Sequence, residues 1–245
     1  MATRLHVGAK ELKGDIGAYA KRFDLLELRG LDAANLKLAP NAATLRRWRK
    51  GVPPSFEFSV VAGPNVGKAK PSEAFDVELA ALKETATTLQ ARVVVVATPA
   101  DVTPSKLWRD RLAKVWDALP RDATTVVWEP AGLWELEDAA EQAARWGGVV
   151  VAVDPARDEV PAGPVAYGRL RALGGTRAYS TAALARVAEA IGERRDAYVV
   201  FETAGALKEA KTLRGLVRQG GGTKGGLGRL LRPRGGVLVP SGEEE

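Results

Sequence analysis

The segment Arg92-Val-Val-Val-Val-Ala-Thr98 is a run of apolar residues with a polar residue at each end. Further along the chain, Gly148-Val-Val-Val-Ala-Val-Asp154 has a similar composition, again without alternation of apolar and polar residues. Continuous runs of this length are typical of strands that are buried on both faces of a parallel sheet. Counting these two, the sequence predicts eight strands: Arg4–Gly8, Asp24–Leu28, Phe56–Ala62, Arg92–Thr98, Thr124–Glu129, Gly148–Asp154, Ala166–Leu170 and Ala197–Glu202.

Between most of these strands, apolar residues recur every three or four positions, which predicts amphipathic helices. The clearest repeats cover Phe75–Leu89, Trp108–Leu119, Leu136–Trp146, Leu184–Ile191 and Ala206–Val217. Shorter helices are expected near residues 14–22 and 42–50. The connection Pro155–Pro164 contains proline and glycine without a helical repeat, and we expect a loop or a single helical turn there.

Eight strands that alternate with helices predict an α/β fold in a single domain, a (β/α)8 TIM-like barrel. A doubly wound open sheet is the main alternative, but such sheets usually carry a glycine-rich phosphate turn after the first strand. The segment His6-Val-Gly-Ala-Lys10 contains one glycine, so we favour the barrel. The barrel domain is expected to span residues 1–218.

The C-terminal segment, residues 219–245, differs in composition from the rest of the chain. Its run Gln219–Gly236 contains eight glycines, and the chain closes with the acidic cluster Glu243–Glu245. Because glycine loses more conformational entropy on ordering than other residues, we predict a flexible tail. Either its cations bind nucleic-acid phosphates without sequence preference, or the segment is a solvated linker. These cations are Lys224, Arg229, Arg232 and Arg234.

The composition of the chain excludes several classes of protein. Its 245 residues include no cysteine, so neither disulfides nor thiolate chemistry is available. Charged residues interrupt the N-terminal segment, and no apolar stretch approaches the roughly 18 residues that span a bilayer. We therefore expect a cytoplasmic protein without a membrane partner. The net charge of +6 fits either an anionic partner or an arginine-rich composition.

The sequence contains no complete cofactor or metal motif. Gly63-Pro-Asn-Val-Gly67-Lys68 resembles a phosphate-binding loop, but only three residues separate its glycines, and Ala69 replaces the magnesium-binding hydroxyl residue. We expect a loop with a turn there. His6 is the only histidine, which excludes a metal site built from several histidines. We therefore expect no bound cofactor and no metal, and we expect His6 to be packed.

Several predicted strands end on a charged residue: Glu27, Glu129, Asp154, Arg169 and Glu202. Parallel barrels place their chemistry at the carboxyl ends of the strands, so these side chains would share one rim. Three interpretations remain open at this point. The charges form a compensated ion network with Arg169 between Asp154 and Glu202, an acid/base or anion site, or an oxygen-ligand site for a divalent cation.

Short motifs occur in a fixed order along the chain, among them Arg4-Leu-His-Val-Gly8, Phe23-Asp-Leu-Leu-Glu27, Trp128-Glu-Pro130, Val153-Asp-Pro155 and Tyr167-Gly-Arg-Leu170. Together they resemble the YecE-like family, domain of unknown function 72, over roughly residues 4–217. The resemblance implies a TIM-like barrel with a polar cleft of unassigned chemistry. The residues that match the family's polar positions are Glu27, Glu129, Asp154 and Arg169.

Other polar positions of the family pattern are changed in this chain. Arg29 stands where an asparagine is usual, and Arg171 stands where a histidine is usual. Glu202-Thr203 replaces an asparagine pair, while Val61 and Ala97 replace a lysine and a glutamine. The apolar scaffold is therefore kept while much of the polar cleft differs. Because the new arginines keep the cleft cationic, they favour a different ligand over a lost activity.

The leading interpretation is a TIM-barrel protein that binds a small anionic ligand at its carboxyl rim. If it is an enzyme, which the sequence leaves open, we expect hydrolase or lyase chemistry with Glu129 and Asp154 as the acid/base pair. The ligand-binding side chains would be Glu27, Arg29, Arg169 and Arg171. The arginines would clamp the anion. The alternative is a non-catalytic binding or scaffold protein whose tail contacts nucleic acid.

Overall fold

Eight parallel strands close into a barrel in the computed structural model of the chain, each paired with the next and the last with the first. The structure describes residues 3–10, 12, 14–122, 124–171, 178–192 and 194–220. The strands are β1 (Arg4–Ala9), β2 (Leu25–Leu28), β3 (Glu57–Val61), β4 (Val93–Ala97), β5 (Thr125–Glu129), β6 (Val150–Val153), β7 (Val165–Leu170) and β8 (Asp196–Phe201). All eight predicted strands are confirmed, and the closed order excludes a doubly wound sheet.

Helices cover the outside of the barrel. They are α1 (Ile16–Ala20), α2 (Ala42–Lys50), α3 (Pro64–Gly67), α4 (Glu73–Leu89), α5 (Lys106–Ala118), α6 (Leu136–Arg145), α7 (Thr181–Ile191) and α8 (Ala206–Gly220). The seven helices predicted from the sequence are all present, and α3 is an addition. The connection from β6 to β7 has no helix, as its proline and glycine content predicts.

Side-chain caps fix the first residue of four helices. Asp15, Asn41, Ser72 and Ser180 each accept hydrogen bonds from backbone N–H groups at the start of the helix that follows. These bonds satisfy N–H groups that have no partner within the helix itself. The caps thereby set the length of the loops at the carboxyl end of the barrel.

Alternate residues along each strand point in opposite directions and build two apolar cores. The outward-facing residues pack against the helices, and Leu26, Val94 and Val126 are examples. The inner core consists of Leu25, Val93, Val95, Val127, Val165, Tyr167, Tyr198 and Val200. Because these side chains fill the barrel, a ligand at its carboxyl end can reach only the polar layer above them.

His6 lies within β1 and is half-buried. Its ring stacks on Tyr198 of β8, with the ring centroids 4.9 Å apart. Burial lowers the pKa of His6, although the Glu57 carboxylate acts in the opposite direction. The packed position that we predict for this histidine is therefore observed.

The segment Gly63–Lys68 forms a one-turn helix, α3, and our prediction of a loop with a turn is wrong. Pro64 stands at the first helical position, where its fixed φ and missing N–H favour a helix start. The fully buried carboxylate of Glu78 accepts hydrogen bonds from Asn65 N at 2.7 Å and from Val66 N at 3.2 Å. The N–H groups that a phosphate would need are therefore bonded to a carboxylate of the protein.

Gly67 has no room for a side chain, because a Cβ atom there would collide with the carbonyl oxygen of Ala97. We predict that Gly67→Ala lowers the free energy of unfolding by about 1–3 kcal/mol, the usual cost of overpacking. Gly215→Ala is the matched control, because a Cβ atom at that position of α8 meets nothing within 4 Å. Urea unfolding followed by circular dichroism checks both variants. Equal stability of Gly67→Ala and the wild type would contradict this packing.

The predicted tail lies almost entirely outside the described residues, which end at Gly220. Its predicted flexibility and its proposed contacts with nucleic acid therefore stay predictions. The cations concerned are Lys224, Arg229, Arg232 and Arg234. Within the described part of the chain, no helix combines the length and the apolar character that crossing a bilayer requires.

Candidate functional site

Arg169 of β7 lies at the carboxyl end of the barrel, and only 3% of the residue is exposed. Its guanidinium contacts two carboxylates through the terminal nitrogens: Nη2 lies 2.8 Å from Glu27 Oε2, and Nη1 lies 3.3 Å from Glu202 Oε1. Its Nε lies 3.1 Å from Glu129 Oε2, an ion pair without hydrogen-bond alignment. The three carboxylates come from the ends of β2, β8 and β5, so Arg169 joins separate parts of the barrel.

Glu27 has a completely buried side chain, and both of its carboxylate oxygens have donors. Its Oε1 accepts from Arg29 Nε at 2.7 Å, and its Oε2 accepts from the Tyr167 hydroxyl and from Arg169. Ser59 Oγ lies 3.2 Å from the same hydroxyl. Burial, together with the Glu27 carboxylate, raises the pKa of Tyr167 well above its ordinary value. The phenol therefore stays protonated and donates a hydrogen bond to Glu27.

Glu202, the residue after β8, is approached by four cations. Its Oε1 lies 2.7 Å from Arg29 Nη2 and 3.3 Å from Arg169 Nη1. Two longer contacts follow, 3.6 Å from Oε1 to Arg171 Nε and 3.6 Å from Oε2 to Lys10 Nζ. Burial alone would raise the pKa of Glu202, but the guanidinium groups outweigh it and hold that pKa below its ordinary value. Glu202 is therefore kept as an anion among cations.

We call the seven charged side chains of this end of the barrel the rim network: Lys10, Arg29, Arg169, Arg171, Glu27, Glu129 and Glu202. Arg171 joins it by pairing with Glu129. Four cations face three carboxylates, so the network keeps one net positive charge. The compensated ion network is thus the interpretation closest to the structure. The members of the observed network differ from those predicted, however, because Arg169 contacts Glu27 and Glu129 and not Asp154.

Asp154 belongs to a separate set of contacts. Its Oδ1 accepts from Ala156 N at 3.0 Å and its Oδ2 from the Tyr179 hydroxyl at 2.9 Å, so this carboxylate stabilises the turn after β6. Among the contacts of the described residues, no hydrogen bond or ion pair joins Asp154 to Glu129 or Arg169. The structure therefore brings one member of the expected acid/base pair into the rim network and leaves the other beside it. Their catalytic roles stay predictions.

Three polar residues of the site are not among the site residues predicted from the sequence: Lys10, and Tyr167 and Tyr179, whose rings the sequence assigns to packing rather than to a ligand-stacking wall. Lys10 could have been found from strand periodicity, because it follows His6 and Gly8 at intervals of two residues and so shares the side of β1 that faces the barrel interior. Tyr167 had the same signal, because it precedes Arg169 by two positions on β7. Tyr179 had none, because it follows β7 at a distance that strand periodicity does not reach. Its hydroxyl contacts the carbonyl oxygen of Arg171 at 2.5 Å as well as Asp154.

A cavity of about 340 Å³ opens beside the rim network, between α1 and α8. Lys10 and Glu202 lie in its wall, together with three aromatic residues, Tyr19, Phe23 and Phe201. A larger cavity of about 480 Å³ lies beneath the helix-free connection between β6 and β7, and no residue of the rim network lines it. The smaller cavity is therefore the one that can bring a ligand to the charged side chains.

No metal centre is found among the residues that the structure describes, because no group of three or more His, Cys, Asp or Glu side chains there is arranged to hold an ion. The carboxylates of the rim network contact cationic side chains instead, as in the pair formed by Glu129 and Arg171. The chemistry that this arrangement offers is recognition of charge by guanidinium and ammonium groups.

The family described as "Protein of unknown function DUF72" matches residues 8–225. The chain belongs to this family. A solved structure of a DUF72 family protein from Enterococcus faecalis V583 has a TM-score of 0.67 and 16% identity, covering 88% of this chain and 98% of that one. A DUF72 family protein from Thermotoga maritima MSB8 has a TM-score of 0.63 and 14% identity, with the same coverage of 88% and 98%.

A third solved structure has a similar fold. The xylose isomerase domain containing protein from Salmonella typhimurium LT2 has a TM-score of 0.57 and 16% identity, covering 88% of this chain and 95% of that one. At such low identities the likeness of solved structures shows the fold alone. No curated protein matches the sequence.

Removing the guanidinium of Arg169 should take from the buried Glu27 carboxylate one of its two cationic partners. We predict that Arg169→Met lowers the free energy of unfolding by about 3–5 kcal/mol, the usual cost of breaking a buried pair. Arg145→Met is the matched control, because Arg145 pairs with Glu141 at 3.0 Å on the exposed face of α6. That exposed pair should contribute at most about 1 kcal/mol. Urea unfolding measures both, and similar losses in the two variants would contradict a central role for Arg169.

Proposed function

We propose that this DUF72 protein binds a small organic anion at the rim network, with the body of the ligand in the neighbouring cavity. The observation that carries the proposal is the convergence of four cations on the single carboxylate of Glu202. A carboxylate or a phosphate group of a ligand has the charge and the acceptor oxygens that these donors recognise. In the proposal, Glu202 occupies the position of that group when no ligand is bound.

The exposure of the four cations divides them into a buried one that holds the network in place and exposed ones that can contact a ligand. The side chain of Arg169 is only 4% exposed, so it holds the carboxylates of the network in place. The side chains of Lys10 and Arg171 are 45% and 43% exposed, so they face the solvent from which a ligand arrives. Arg29 lies between these extremes and makes the shortest contact with Glu202. An incoming anion would therefore exchange with Glu202 at Arg29, Arg171 and Lys10.

The cavity indicates what the rest of the ligand would be. Its volume of about 340 Å³ lies within the range of about 300–1,000 Å³ of small-molecule sites. The Tyr19 hydroxyl is bonded to the backbone of Leu25 at 2.8 Å, so its ring offers the cavity an apolar surface. Phe23 and Phe201 add two more apolar rings. We infer a ligand with a compact apolar or planar body and one acidic group.

Anion binding can be measured through the stability that a ligand adds. The probes are inorganic phosphate, benzoate and phenylphosphonate, titrated by thermal unfolding and calorimetry. We predict that Arg29→Gln binds the best probe at least about tenfold more weakly, a loss of about 1.4 kcal/mol. Glu202→Gln should bind it at least about tenfold more tightly, because the competing carboxylate is gone. Arg145→Gln, on the far side of the barrel wall, is the control and should bind as the wild type does.

Two outcomes would contradict the proposal. The first is that no probe stabilises either the wild type or Glu202→Gln at concentrations up to tens of millimolar. The second is that Arg29→Gln and Arg145→Gln respond alike, which would assign the stabilisation to general screening of charge by salt.

A hydrolase or lyase reaction is the second candidate function, and Tyr179 is the observation that favours it. Its hydroxyl bonds to Asp154 and to the backbone of Arg171, whose side chain pairs with Glu129. Tyr179 and Arg171 thus lie between the predicted acid/base residues, which make no direct contact. In this candidate, Glu129 and Asp154 exchange protons with a substrate whose anionic group is held by the arginines.

Chromogenic phosphate and carboxylate esters test the catalytic candidate. We predict that the double variant Glu129→Gln, Asp154→Asn lowers kcat for the best ester by at least about 100-fold, the usual contribution of acid/base catalysis. Glu141→Gln on α6 is the control, because its carboxylate is exposed and, among the described residues, pairs with Arg145 alone. Full activity of the double variant, or absence of turnover in the wild type with every ester, would leave anion binding as the function.

A further inference from the structure

Three helices, α8, α1 and α2, lie side by side on one side of the barrel wall. Arg214 of α8 donates to the carbonyl oxygen of Arg22, just after α1, at 3.0 Å, and pairs with Asp24 at 3.1 Å. The start of α1 and the end of α2 are close, because a Cβ atom added at Gly51, which follows α2, would lie 3.4 Å from Cγ2 of Ile16. These contacts make the outer surfaces of the three helices continuous.

This surface carries a group of exposed cations, which we call the basic face: Lys21, Arg46, Arg47, Lys50, Lys211 and Arg218. Among the described residues, none of the six has a carboxylate within ion-pair distance, whereas the cations of the rim network are all paired. Unpaired cations on a surface leave a positive field that an anionic partner can neutralise.

Helical spacing places these cations on common stripes. Arg46, Arg47 and Lys50 fall within about 100° of the circumference of α2, and that helix has no acidic residue. Lys211 and Arg218 flank Arg214 at spacings of three and four residues, so they share the side of α8 that faces α1. The basic face is therefore built from adjoining stripes of separate helices.

Two other helices of the barrel wall, α4 and α6, have the reverse charge. The exposed acids of α4 and α6 are Glu73, Asp76, Glu84, Glu137, Asp138 and Glu141. The only exposed cations of these two helices are Lys83 and Arg145. A general excess of arginine in the composition would spread cations over all faces. On α4 and α6 the acids instead outnumber the cations, and α5 has equal numbers of exposed acids and exposed cations, so the basic face is a local concentration of positive charge.

We propose that the basic face binds the phosphate backbone of nucleic acid without reading its sequence. Neighbouring helices are spaced about 8–10 Å apart, so three helices span about 20 Å. That length corresponds to about six base pairs of duplex at 3.4 Å per phosphate along each strand. Guanidinium groups, which form much of the face, match phosphate oxygens in bidentate geometry.

The same features disfavour a membrane surface as the partner. Helices that bind a bilayer add exposed large apolar side chains that insert between lipids. The exposed large apolar residues of the described chain are Leu38, Val77, Leu107 and Leu133, and none of them belongs to α8, α1 or α2. The basic face thus offers charge without apolar anchors, as a phosphate backbone requires.

The test is fluorescence anisotropy with the full chain and a labelled 20-base-pair DNA duplex in a series of salt concentrations. We predict that the triple variant Arg46→Glu, Arg47→Glu, Lys50→Glu binds at least about tenfold more weakly than the wild type at 50 mM salt. The slope of log K against log salt should also become shallower by about 2–3, because about three phosphate contacts are lost.

A matched control separates the basic face from net charge. The triple variant Lys68→Glu, Lys83→Glu, Lys114→Glu makes the same change in charge at exposed positions on other faces, and we predict an affinity within about threefold of the wild type. Circular dichroism checks that both variants fold. If the glutamate variant of α2 does not fold, Arg46→Gln, Arg47→Gln, Lys50→Gln replaces it and should lose about half as much binding energy.

Four results would overturn the inference. The first is that the wild type does not bind the duplex at 50 mM salt. The second is an equal loss in the α2 variant and its control. The third is that substitution of the tail cations by glutamine abolishes binding while the α2 variant keeps it. The fourth is tighter binding to phosphatidylserine vesicles than to the duplex, with loss in the same variants.

Discussion

The guanidinium of Arg169 contacts three carboxylates at the carboxyl end of the barrel, and the arrangement of the other rim charges depends on it. Without this cation, Glu27 would be a buried carboxylate shared between Arg29 and a tyrosine hydroxyl. Burying such a charge is costly unless it is paired and hydrogen-bonded. The layer of Tyr167 and Ser59 beneath the network supplies the remaining polar contact. The rim is therefore one coupled unit, in which a change at one charge alters the partners of the others.

The strands, most helices and the closed architecture could be predicted from the sequence, because burial on both faces leaves continuous apolar runs in parallel strands. The rim positions of Glu27, Glu129 and Arg169 followed from strand ends for the same reason. The short helix α3 was not predicted, because its start depends on Glu78, which is distant in sequence and packs against it. A one-turn helix has too few residues to leave a periodic signal.

The pairing of charges at the rim could not be predicted from strand order alone. Neighbouring strands suggested that Asp154 would meet Arg169, yet the turn after β6 engages that carboxylate through Ala156 N and the Tyr179 hydroxyl. Arg169 reaches across the barrel instead, to the end of β2. Above a filled barrel, the length and the direction of a long side chain determine which partner it contacts. The adjacency of strands alone does not determine it.

The central claim is that Glu202 fills an anion-binding position formed by the cations of the rim network. A crystal structure of the Glu202→Gln variant, grown with inorganic phosphate, tests this most directly. The account predicts a phosphate ion within hydrogen-bond distance of Arg29 and Arg171, near the position of the wild-type carboxylate, with Arg169 unmoved. An empty position, with Arg29 and Arg171 turned away from it toward solvent, would contradict the account.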